Sequence, residues 1–282
     1  MSALDTIHRQ VASGAPLPQV DPLARIHPSV QLPDDVIVKS GAYLSAGLVV
    51  EDGCHIGPNV CFVEGRPTTV RRGVWIGANA TLHAGITIAA QAVVRPGSVV
   101  ARSVPPGAIV EGNPAAIVGY VDADRGPVRA PQATSPRPGA VAEATPVRGV
   151  TLHHFPVIPD LRGNLTVGEF GAQIPFEPRR YFIVFGVPSR EVRGEHAHRQ
   201  CHQFLLCLRG SCAVVADDGQ HKTEVLLDAP QRGLYLPPMT WGIQYQYSAD
   251  AMLLVFASHH YDAADYIREY DDFLAAITTA VT

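Results

Sequence analysis

The stretch that decides the fold of the first half runs from Val70 to Val100 and reads VRRGVWIGANATLHAGITIAAQAVVRPGSVV. Every sixth residue in it is apolar: Val70, Ile76, Leu82, Ile88, Val94 and Val100. A period of six fits neither an α-helix nor a flat strand, whose apolar faces repeat every 3.6 and every two residues. It fits a parallel β-helix, in which each hexad forms a short strand and a corner and its apolar residue points into the prism.

A second series with the same period precedes this one and is offset from it by two residues. Its members are Ile26, Leu32, Val38, Leu44, Val50, Ile56 and Phe62. Three hexads make one coil, so the two series together predict slightly more than four coils. Residues 63–69, VEGRPTT, fall at the offset, and we expect them to leave the prism as a small loop. Gly57-Pro58-Asn59 and Gly77-Ala78-Asn79 are residue types that turn its corners.

The composition agrees with a chain rich in strands and turns, and it excludes several classes of protein. Glycine and proline number 25 and 24 among 282 residues, and only 17% of residues are charged, against about a quarter in an average protein. An all-helical protein is therefore excluded, and so is collagen, because glycine follows no three-residue period. The net charge of −4 provides no basic surface for nucleic acid or an acidic membrane.

The N-terminus and the cysteines indicate a cytoplasmic protein with no membrane partner. Residues 1–19 lack the apolar core of a signal peptide, and no apolar run reaches membrane-spanning length. The five cysteines are odd in number and form no CxxC pair. We therefore expect reduced thiols at all of them: Cys54, Cys61, Cys201, Cys207 and Cys212.

Residues 122–147, DADRGPVRAPQATSPRPGAVAEATPV, predict a tether between two domains. The segment has five prolines, no aromatic residue and no periodicity, which is typical of an extended linker that buries little surface. A chain of 282 residues is also long enough for two hydrophobic cores. We therefore predict a β-helix domain over residues 20–121 and a second domain over residues 148–282.

The second half consists of short predicted strands separated by turns. Runs rich in β-branched and aromatic residues occur at 181–187, 203–208, 212–215, 224–227 and 251–256. Many strands with no helix between them favour a sandwich or barrel, so the whole chain is predicted to be all-β. Residues 262–277 carry apolar residues at helical spacing, and we expect one C-terminal helix there with Asp262 as its N-cap.

The chemistry of the second half centres on residues 193–203, RGEHAHRQCHQ. His196 and His198 are two apart in a strand, so they point to the same face. The spacing resembles the first metal-binding motif of the cupins, but Gln203 replaces its acid. The second motif would supply a further histidine in the stretch 233–242, which contains none. Two histidines and an amide make a poor divalent site, so we predict no metal.

Two inward imidazoles without a metal suit proton transfer. Imidazole titrates close to neutral pH, so it can remove a proton from carbon and return it. A 1,2-carbonyl shift needs this chemistry, because it passes through an enediol and reprotonates the neighbouring carbon. Arg193 and Arg199 beside the histidines indicate a polar cavity that receives an anion.

The first half resembles the hexapeptide acyltransferases, which are left-handed parallel β-helices. The resemblance covers about residues 20–121 and includes the exit sequence SVPPGAIVEGNPA at 103–115. It implies a homotrimer with acyl-CoA bound between neighbouring prisms. The chain departs from the related sugar N-acyltransferases, because Phe62-Val63-Glu64-Gly65 stands where they often carry an Asn-Asp pair. Candidate bases for acyl transfer are Glu64, His83 and His55, although either histidine is also an ordinary surface residue of the prism.

The second half resembles the sugar-nucleotide 3,4-ketoisomerases, which are metal-independent cupins of the jelly-roll type. Five motifs in order carry the resemblance: 160–165 DLRGNL, 174–176 IPF with 180–181 RY, 193–199 RGEHAHR, 233–238 GLYLPP, and 261–262 YD with 265–268 DYIR. The fusion resembles the bifunctional WxcM-like ketoisomerase/N-acyltransferases. Those enzymes act in the synthesis of dTDP-3-acetamido-3,6-dideoxyhexoses for O-antigen or S-layer glycans.

The resemblance implies roles for several residues of the second half. His198 or His196 is the base, Arg193 binds the diphosphate or the enediolate oxygen, and Tyr181 donates to the sugar. Five further residues are implied to bind substrate: Arg162, Arg199, Gln203, Tyr235 and Trp241. Of these, Tyr235 and Trp241 would pack on thymine or sugar. The implied substrate is dTDP-4-keto-6-deoxyglucose, and the isomerase needs no cofactor. Acetyl-CoA is the co-substrate of the β-helix, and a separate aminotransferase acts between the two steps.

Four alternatives stay open at this point. The β-helix is a trimeric or hexameric scaffold that has lost its activity, or the cupin is a carbohydrate-binding module without catalysis. A metal-dependent dioxygenase is disfavoured by Gln203. The dTDP-sugar 3,5-epimerases have a His–Asp dyad and a lysine, and the sequence places neither partner beside His196 and His198.

Overall fold

The structure is a computed structural model that describes residues 18–125, 141–161, 163–188 and 191–279. The chain divides into two compact units, Met1–Val121 and Asp122–Thr282. Arg162, one of the predicted substrate-binding residues, lies outside the described residues. Within the described ranges, no helix is long and apolar enough to span a membrane.

The first unit is a prism of two-residue strands closed by an antiparallel hairpin. The strands are β1 (Gln19–Val20), β2 (Arg25–Ile26), β3 (Ile37–Val38), β4 (Tyr43–Leu44), β5 (Val49–Val50), β6 (His55–Ile56), β7 (Cys61–Phe62), β8 (Thr69–Val70), β9 (Trp75–Ile76), β10 (Thr81–Leu82), β11 (Thr87–Ile88), β12 (Val93–Val94), β13 (Val99–Val100), β14 (Ala108–Gly112) and β15 (Ala115–Tyr120). They form three sheets in the orders β1-β3-β6-β9-β12-β14-β15, β13-β10-β7-β4-β2 and β11-β8-β5. All pairings are parallel except β14 with β15.

The sixth-residue series forms the core of this prism, as the sequence predicts. From Val38 onward, every member of both series is buried. Ile26 and Leu32 are half-buried, and no strand forms at Leu32. At the corners, Asn59 and Asn79 adopt left-handed φ values of 55° and 59°, which asparagine tolerates better than most residues. Residues 63–67 are exposed before β8 resumes the series, so the predicted loop is present.

The second unit is built from two six-stranded sheets. Its strands are β16 (Ala123–Arg125), β17 (Val141–Ala144), β18 (Thr151–His154), β19 (Val157–Asp160), β20 (Gly163–Thr166), β21 (Arg180–Phe185), β22 (Arg193–His198), β23 (Gln203–Arg209), β24 (Cys212–Asp217), β25 (Lys222–Leu227), β26 (Arg232–Leu236), β27 (Trp241–Tyr245), β28 (Met252–Ala257) and β29 (Tyr266–Ile267). The sheet orders are β16-β25-β24-β27-β22-β29 and β17-β18-β26-β23-β28-β21, and β19 pairs with β20 alone. Alternate side chains of both sheets form one apolar core that includes Leu205, Val214 and Leu253.

The C-terminal helix is present but shorter than predicted. It is α1 (Tyr270–Thr279), whereas Asp262 caps a separate 3₁₀ turn over Ala263–Asp265. Between the two, β29 pairs with Ala197 and His198 of β22. The extended pairing of β29 therefore interrupts the helical apolar spacing that the sequence shows from residue 262.

Both described ends of the predicted linker are strands of the second unit. Ala123–Arg125 runs parallel to β25, and Val141–Ala144 pairs with β18. Val147, the last residue of the predicted linker, is buried in the core. Residues 126–140 lie outside the described residues, and the domain bounds stay a prediction.

Candidate active site

A pocket lies in the second unit and receives side chains from both large sheets. β22 and β27 belong to one sheet, and β23 and β26 to the other. The pocket is lined by His196, His198, Cys201, Gln203, Leu236, Pro237, Thr240, Gly242 and Gln244. A concave site with a few convergent polar groups on an apolar wall is typical of a small-molecule site.

A bulge in β22 precedes the two histidines. The register with β27 shifts between Gly194 and His196, and φ is 83° at Gly194 and 53° at Glu195. A positive φ at a residue other than glycine is uncommon and clusters at functional sites. Burial also raises the pKa of Glu195. After the bulge the strand is regular, so His196 and His198 share the face that lines the pocket.

His198 forms a dyad with an aspartate from the far end of the chain. Its Nδ1 lies 2.7 Å from Oδ2 of Asp265, and the carboxylate can only accept, so Nδ1 carries the proton. Nε2 then accepts from the Gln203 amide at 3.1 Å. The backbone N–H of Gln200 donates to the other carboxylate oxygen at 2.7 Å. The aspartate therefore fixes both the ring orientation and the tautomer of His198.

The charge states of this dyad follow from burial and hydrogen bonding. Burial lowers the pKa of His198, and the neighbouring carboxylate opposes that shift without cancelling it. Burial alone would raise the pKa of Asp265, but hydrogen bonds from His198 and Gln200 bring it below its ordinary value. At neutral pH the pair is therefore a neutral imidazole beside a carboxylate. This is the protonation state that a general base needs in order to accept a proton.

His196 is a second neutral imidazole beside the dyad. Its Nδ1 donates to the Gly194 carbonyl at 2.9 Å, which leaves Nε2 as its available nitrogen. Burial lowers the pKa of His196 to about 4. The ring of Tyr266 contacts both imidazoles, with centroids 4.9 Å from His196 and 4.3 Å from His198. The two bases are thus held in one rigid cluster.

Two arginines near the histidines have no acidic partner in the part of the chain that the structure describes. Arg180 stacks on Phe182 and Tyr261 with its guanidinium carbon 5.5 and 5.6 Å from the ring centroids. Its Nε–H is buried and donates to no acceptor among the described residues. Arg268 stacks on Tyr266 at 4.4 Å. Both positive charges lower the pKa of His198. Cations without a carboxylate beside a pocket are suited to an anionic ligand.

Comparison with known proteins identifies the family of this site. A family described as FdtA: WxcM-like, C-terminal, matches residues 148–278. A TDP-4-oxo-6-deoxy-alpha-D-glucose-3,4-oxoisomerase of Aneurinibacillus thermoaerophilus is 43% identical over 120 residues, which are 43% of this chain and 86% of the relative. The chain belongs to the WxcM-like family.

Solved structures of 3,4-ketoisomerases match just under half of the chain. The QdtA 3,4-ketoisomerase of Thermoanaerobacterium thermosaccharolyticum, a double mutant in complex with TDP, is 34% identical. The match covers 48% of this chain and 97% of that one, with a TM-score of 0.46. A 3,4-ketoisomerase from Helicobacter canadensis is 34% identical over 46% of this chain and 98% of its own, with a TM-score of 0.45.

A second curated relative has a different activity. It is a dTDP-3-amino-3,6-dideoxy-alpha-D-galactopyranose 3-N-acetyltransferase from Aneurinibacillus thermoaerophilus, 44% identical over 54 residues. The match covers 19% of this chain and 28% of the relative. The chain therefore spans little more than a quarter of the length of that acetyltransferase.

Three of the predicted site residues of the WxcM-like half meet in the pocket. His196, His198 and Gln203 all line it, and the Gln203 amide is hydrogen-bonded to His198. Arg193 and Arg199 are exposed and do not line the pocket. Arg193 precedes the bulge, which changes the direction of side chains along β22.

Three predicted aromatic residues lie on the wrong side of their strands for this pocket. Tyr181 is 66% exposed, because the alternate residues Phe182 and Val184 are the ones packed on the core. The Tyr235 hydroxyl is hydrogen-bonded to His202 Nδ1 at 2.6 Å on the outer face of β26. Trp241 is buried against α1, with ring contacts to Tyr270 and Phe273. The prediction that these three contact substrate within one protomer is therefore not supported by their placement.

Asp265 is the partner of His198, although the sequence predicts no His–Asp dyad. The structure corrects this prediction, since 67 residues separate the two in the chain. The DYIR motif that carries Asp265 was a signal, but its role is visible only once β29 pairs with β22. No lysine completes an epimerase-like set, because the chain has only Lys39 and Lys222. Lys222 forms an ion pair with Asp217.

A cupin metal does not fit the residues of this pocket. Both ring nitrogens of His198 are engaged, one by Asp265 and one by Gln203. Gly242 and Gln244 line the part of the wall that β27 contributes, and neither side chain is a good metal ligand. The ligand atoms of His198, Cys201 and Asp265 lie within 4.8 Å of one another. Metal binding there would have to break the hydrogen bond of the dyad.

The candidate residues of the β-helix lie on its outer surface. Glu64 and His83 are exposed, and the Tyr43 hydroxyl donates to the Glu64 carboxylate from the neighbouring coil. This hydrogen bond raises the pKa of Tyr43. His55 stacks on Trp75 with centroids 6.0 Å apart. Burial, aided by the charge of Lys39, lowers the pKa of His55. Among the described residues, Glu64 is the candidate that a side-chain hydrogen bond holds in place.

Proposed function

We propose that the second unit is a dTDP-4-keto-6-deoxyglucose 3,4-ketoisomerase that uses His198 as its base. The observation that carries this proposal is the His198–Asp265 dyad in a pocket with a second neutral imidazole. Membership of the WxcM-like family, with its 3,4-oxoisomerase relative, supports the substrate class. The reaction moves a carbonyl from C4 to C3 of the hexose and needs no external oxidant, because one carbon is oxidised as the other is reduced.

The first step is removal of the proton from C3. The ketone at C4 makes that proton acidic, and Nε2 of His198 accepts it while the C3–C4 enediolate forms. The Gln203 amide, which occupies Nε2 in the free protein, turns to a sugar oxygen as the substrate enters. Asp265 stabilises the imidazolium that results, because its carboxylate accepts the Nδ1–H bond at 2.7 Å. The proton on His198 exchanges with solvent while the enediolate exists, and His198 then protonates C4.

The oxygen atoms need a second proton carrier. The hydroxyl proton at C3 must leave and the oxygen at C4 must gain one, so that the carbonyl ends at C3. Nε2 of His196 is available for this exchange, because its Nδ1 is tied to the Gly194 carbonyl. A low pKa keeps His196 neutral between transfers. His198 thus transfers the proton at carbon, and His196 transfers the protons at the two oxygens.

Arg180 and Arg268 supply the positive charge that the substrate requires. Neither guanidinium has an acidic partner in the parts of the chain that the structure describes. The diphosphate and the enediolate both carry negative charge close to the reacting carbons. We assign the two arginines to these anions, because both positive charges act on the imidazole of His198.

The direct test is conversion of dTDP-4-keto-6-deoxyglucose followed by NMR in the presence of EDTA. We expect the 3-keto isomer, with deuterium from D₂O at the carbon that receives the proton. Dependence on added metal would contradict the proposed mechanism. Binding of the sugar nucleotide without conversion would instead indicate a carbohydrate-binding module.

We propose further that the β-helix transfers an acetyl group from acetyl-CoA to a dTDP-3-amino sugar. The observation that favours this is the Glu64 carboxylate held by Tyr43 on the outer surface of the prism. A carboxylate at this position can accept the proton that the amine loses when its nitrogen attacks the thioester carbonyl. The short match to the 3-N-acetyltransferase supports the acceptor class.

Release of CoA from acetyl-CoA with a dTDP-3-amino-3,6-dideoxyhexose tests the transferase. We expect Glu64→Gln to slow it and His83→Gln and His55→Gln to leave it active. No turnover by the wild-type chain would favour a β-helix that serves only as a scaffold. In either case we expect a homotrimer or hexamer, which light scattering measures.

A further inference from the structure

Gln244 is a pocket residue to which the proposed mechanism gives no role. It lies on β27, next to the strand of the histidines, and pairs with Arg193 in register. Trp241, Ile243 and Tyr245 on the alternate positions are buried on the other face, so Gly242 and Gln244 are the side of β27 that meets the pocket. A glutamine here is therefore aimed at the ligand space.

The glycine opposite makes room for the amide head of Gln244. A Cβ on Gly194 would lie 2.9 Å from Oε1 and 3.0 Å from Nε2 of Gln244, and 2.5 Å from the Gly242 carbonyl. The amide head thus packs directly on Gly194. The carbonyl of the same glycine holds Nδ1 of His196. Gln244 is therefore placed beside the imidazole that we assign to the sugar oxygens.

The hydrogen-bonding state of Gln244 differs from that of the other pocket glutamine. Gln203 is engaged by His198, whereas the Gln244 side chain has no hydrogen-bond partner among the described residues. A half-buried amide offers two donors and an acceptor, and most such groups are satisfied in folded proteins. The Gln244 amide can therefore form hydrogen bonds with a group that enters the pocket.

We infer that Gln244 binds the hydroxyl and carbonyl oxygens of the hexose ring and thereby helps to select the substrate. This rests on the proposed isomerase function. An amide matches the C3–C4 pair, because one oxygen there is a hydroxyl and the other a carbonyl, and the reaction exchanges them. A purely accepting side chain would match only the hydroxyl, because a ketone oxygen has no hydrogen to donate. The amide serves substrate and product equally.

The test compares the affinities of dTDP and dTDP-6-deoxyglucose, which has no ketone and does not isomerise. In Gln244→Leu we expect the affinity for dTDP-6-deoxyglucose to fall by about three- to tenfold, the value of one net hydrogen bond. Affinity for dTDP should stay within about twofold of the wild type. Gln220→Leu, a matched change at an exposed turn, should alter neither.

Two outcomes would overturn the inference. One is an unchanged affinity for dTDP-6-deoxyglucose in Gln244→Leu. The other is an equal loss of both affinities together with a lower Tm than Gln220→Leu, which would make Gln244 a structural residue. Absence of isomerase activity in the wild-type chain would remove the proposed function alone, because the two affinities are measured without turnover.

Discussion

At the scale of single residues, the proposed proton transfer depends on His198 and Asp265. An imidazole in a buried pocket loses basicity, because burial penalises its charged form. The carboxylate at 2.7 Å restores part of that basicity and orients the ring. The same carboxylate keeps its own charge through hydrogen bonds from His198 and Gln200. Basicity and orientation thus come from one contact.

Replacement of His198 by asparagine tests the base directly. We expect His198→Asn to reduce kcat by about 10²- to 10⁴-fold, the usual contribution of a general base. Exchange of the C3 proton with D₂O should disappear with it, as measured by NMR. His196→Asn should also slow turnover but should retain exchange at C3, because its role is at oxygen. The opposite pattern would exchange the roles of the two histidines.

The pH dependence of kcat/KM tests the partner of the base. The pKa values of both histidines are lowered by burial, so the acid side of the profile should fall off below pH 6.5. In Asp265→Asn the acid limb should move to still lower pH, because the carboxylate raises the pKa of His198. kcat should fall as well. An acid limb that moves upward, or does not move, would show that Asp265 does not act on the titrating group.

At the scale of elements, the site is built around β22, which contains the bulge and both histidines and lies between β27 and β29. β27 supplies Gly242 and Gln244 on one side, and β29 brings Asp265 and Tyr266 on the other. β29 is only two residues long and lies between the 3₁₀ turn and α1. α1 anchors this segment, because Tyr270 and Phe273 pack on Trp241. The helix therefore holds the aspartate in place from outside the pocket.

Substitution of Gly194 tests the bulge. We expect Gly194→Ala to reduce isomerase kcat strongly, because a Cβ would lie 2.5 Å from the Gly242 carbonyl and φ is 83°. The peptide that holds His196 would have to shift. Gly171→Ala is the control, since its φ is also positive at 75° but nothing lies within 4 Å of its Cβ position. Equal activity losses in the two variants would assign the effect to backbone strain alone.

At the scale of the whole molecule, the two units have separate cores and separate candidate chemistry. The prism buries its sixth-residue series, and the second unit buries the faces of two sheets. The proposed reactions are not consecutive, since an amine must be installed between ketoisomerisation and acylation. A fused chain would then keep two enzymes of one route in equal amounts.

Independent loss of the two activities tests this division. His198→Asn should slow isomerisation strongly and leave CoA release at the wild-type rate, and Glu64→Gln should slow CoA release and leave isomerisation at the wild-type rate. Both rates are measured on the same preparation of the full chain, by NMR and by thiol release. Loss of both activities in either variant would contradict two independent sites.

Some features of this protein follow from its sequence alone. The sixth-residue apolar series predicts the prism, because a short-range period dictates which side chains point inward. The His-x-His spacing likewise predicts that His196 and His198 share a face, as they do in the pocket. Gln203 in place of an acid is also visible in the sequence, and it engages His198 in the structure.

Other features depend on contacts between distant segments, and only the tertiary structure decides them. Asp265 reaches His198 across 67 residues because β29 pairs with β22. A strand has two faces, and local sequence does not say which one a partner covers. Tyr181 and Trp241 therefore face away from the pocket, while Arg180 and Gln244 lie close to the two histidines. The period of a strand fixes its alternation, but packing against the rest of the chain chooses which face becomes the active site.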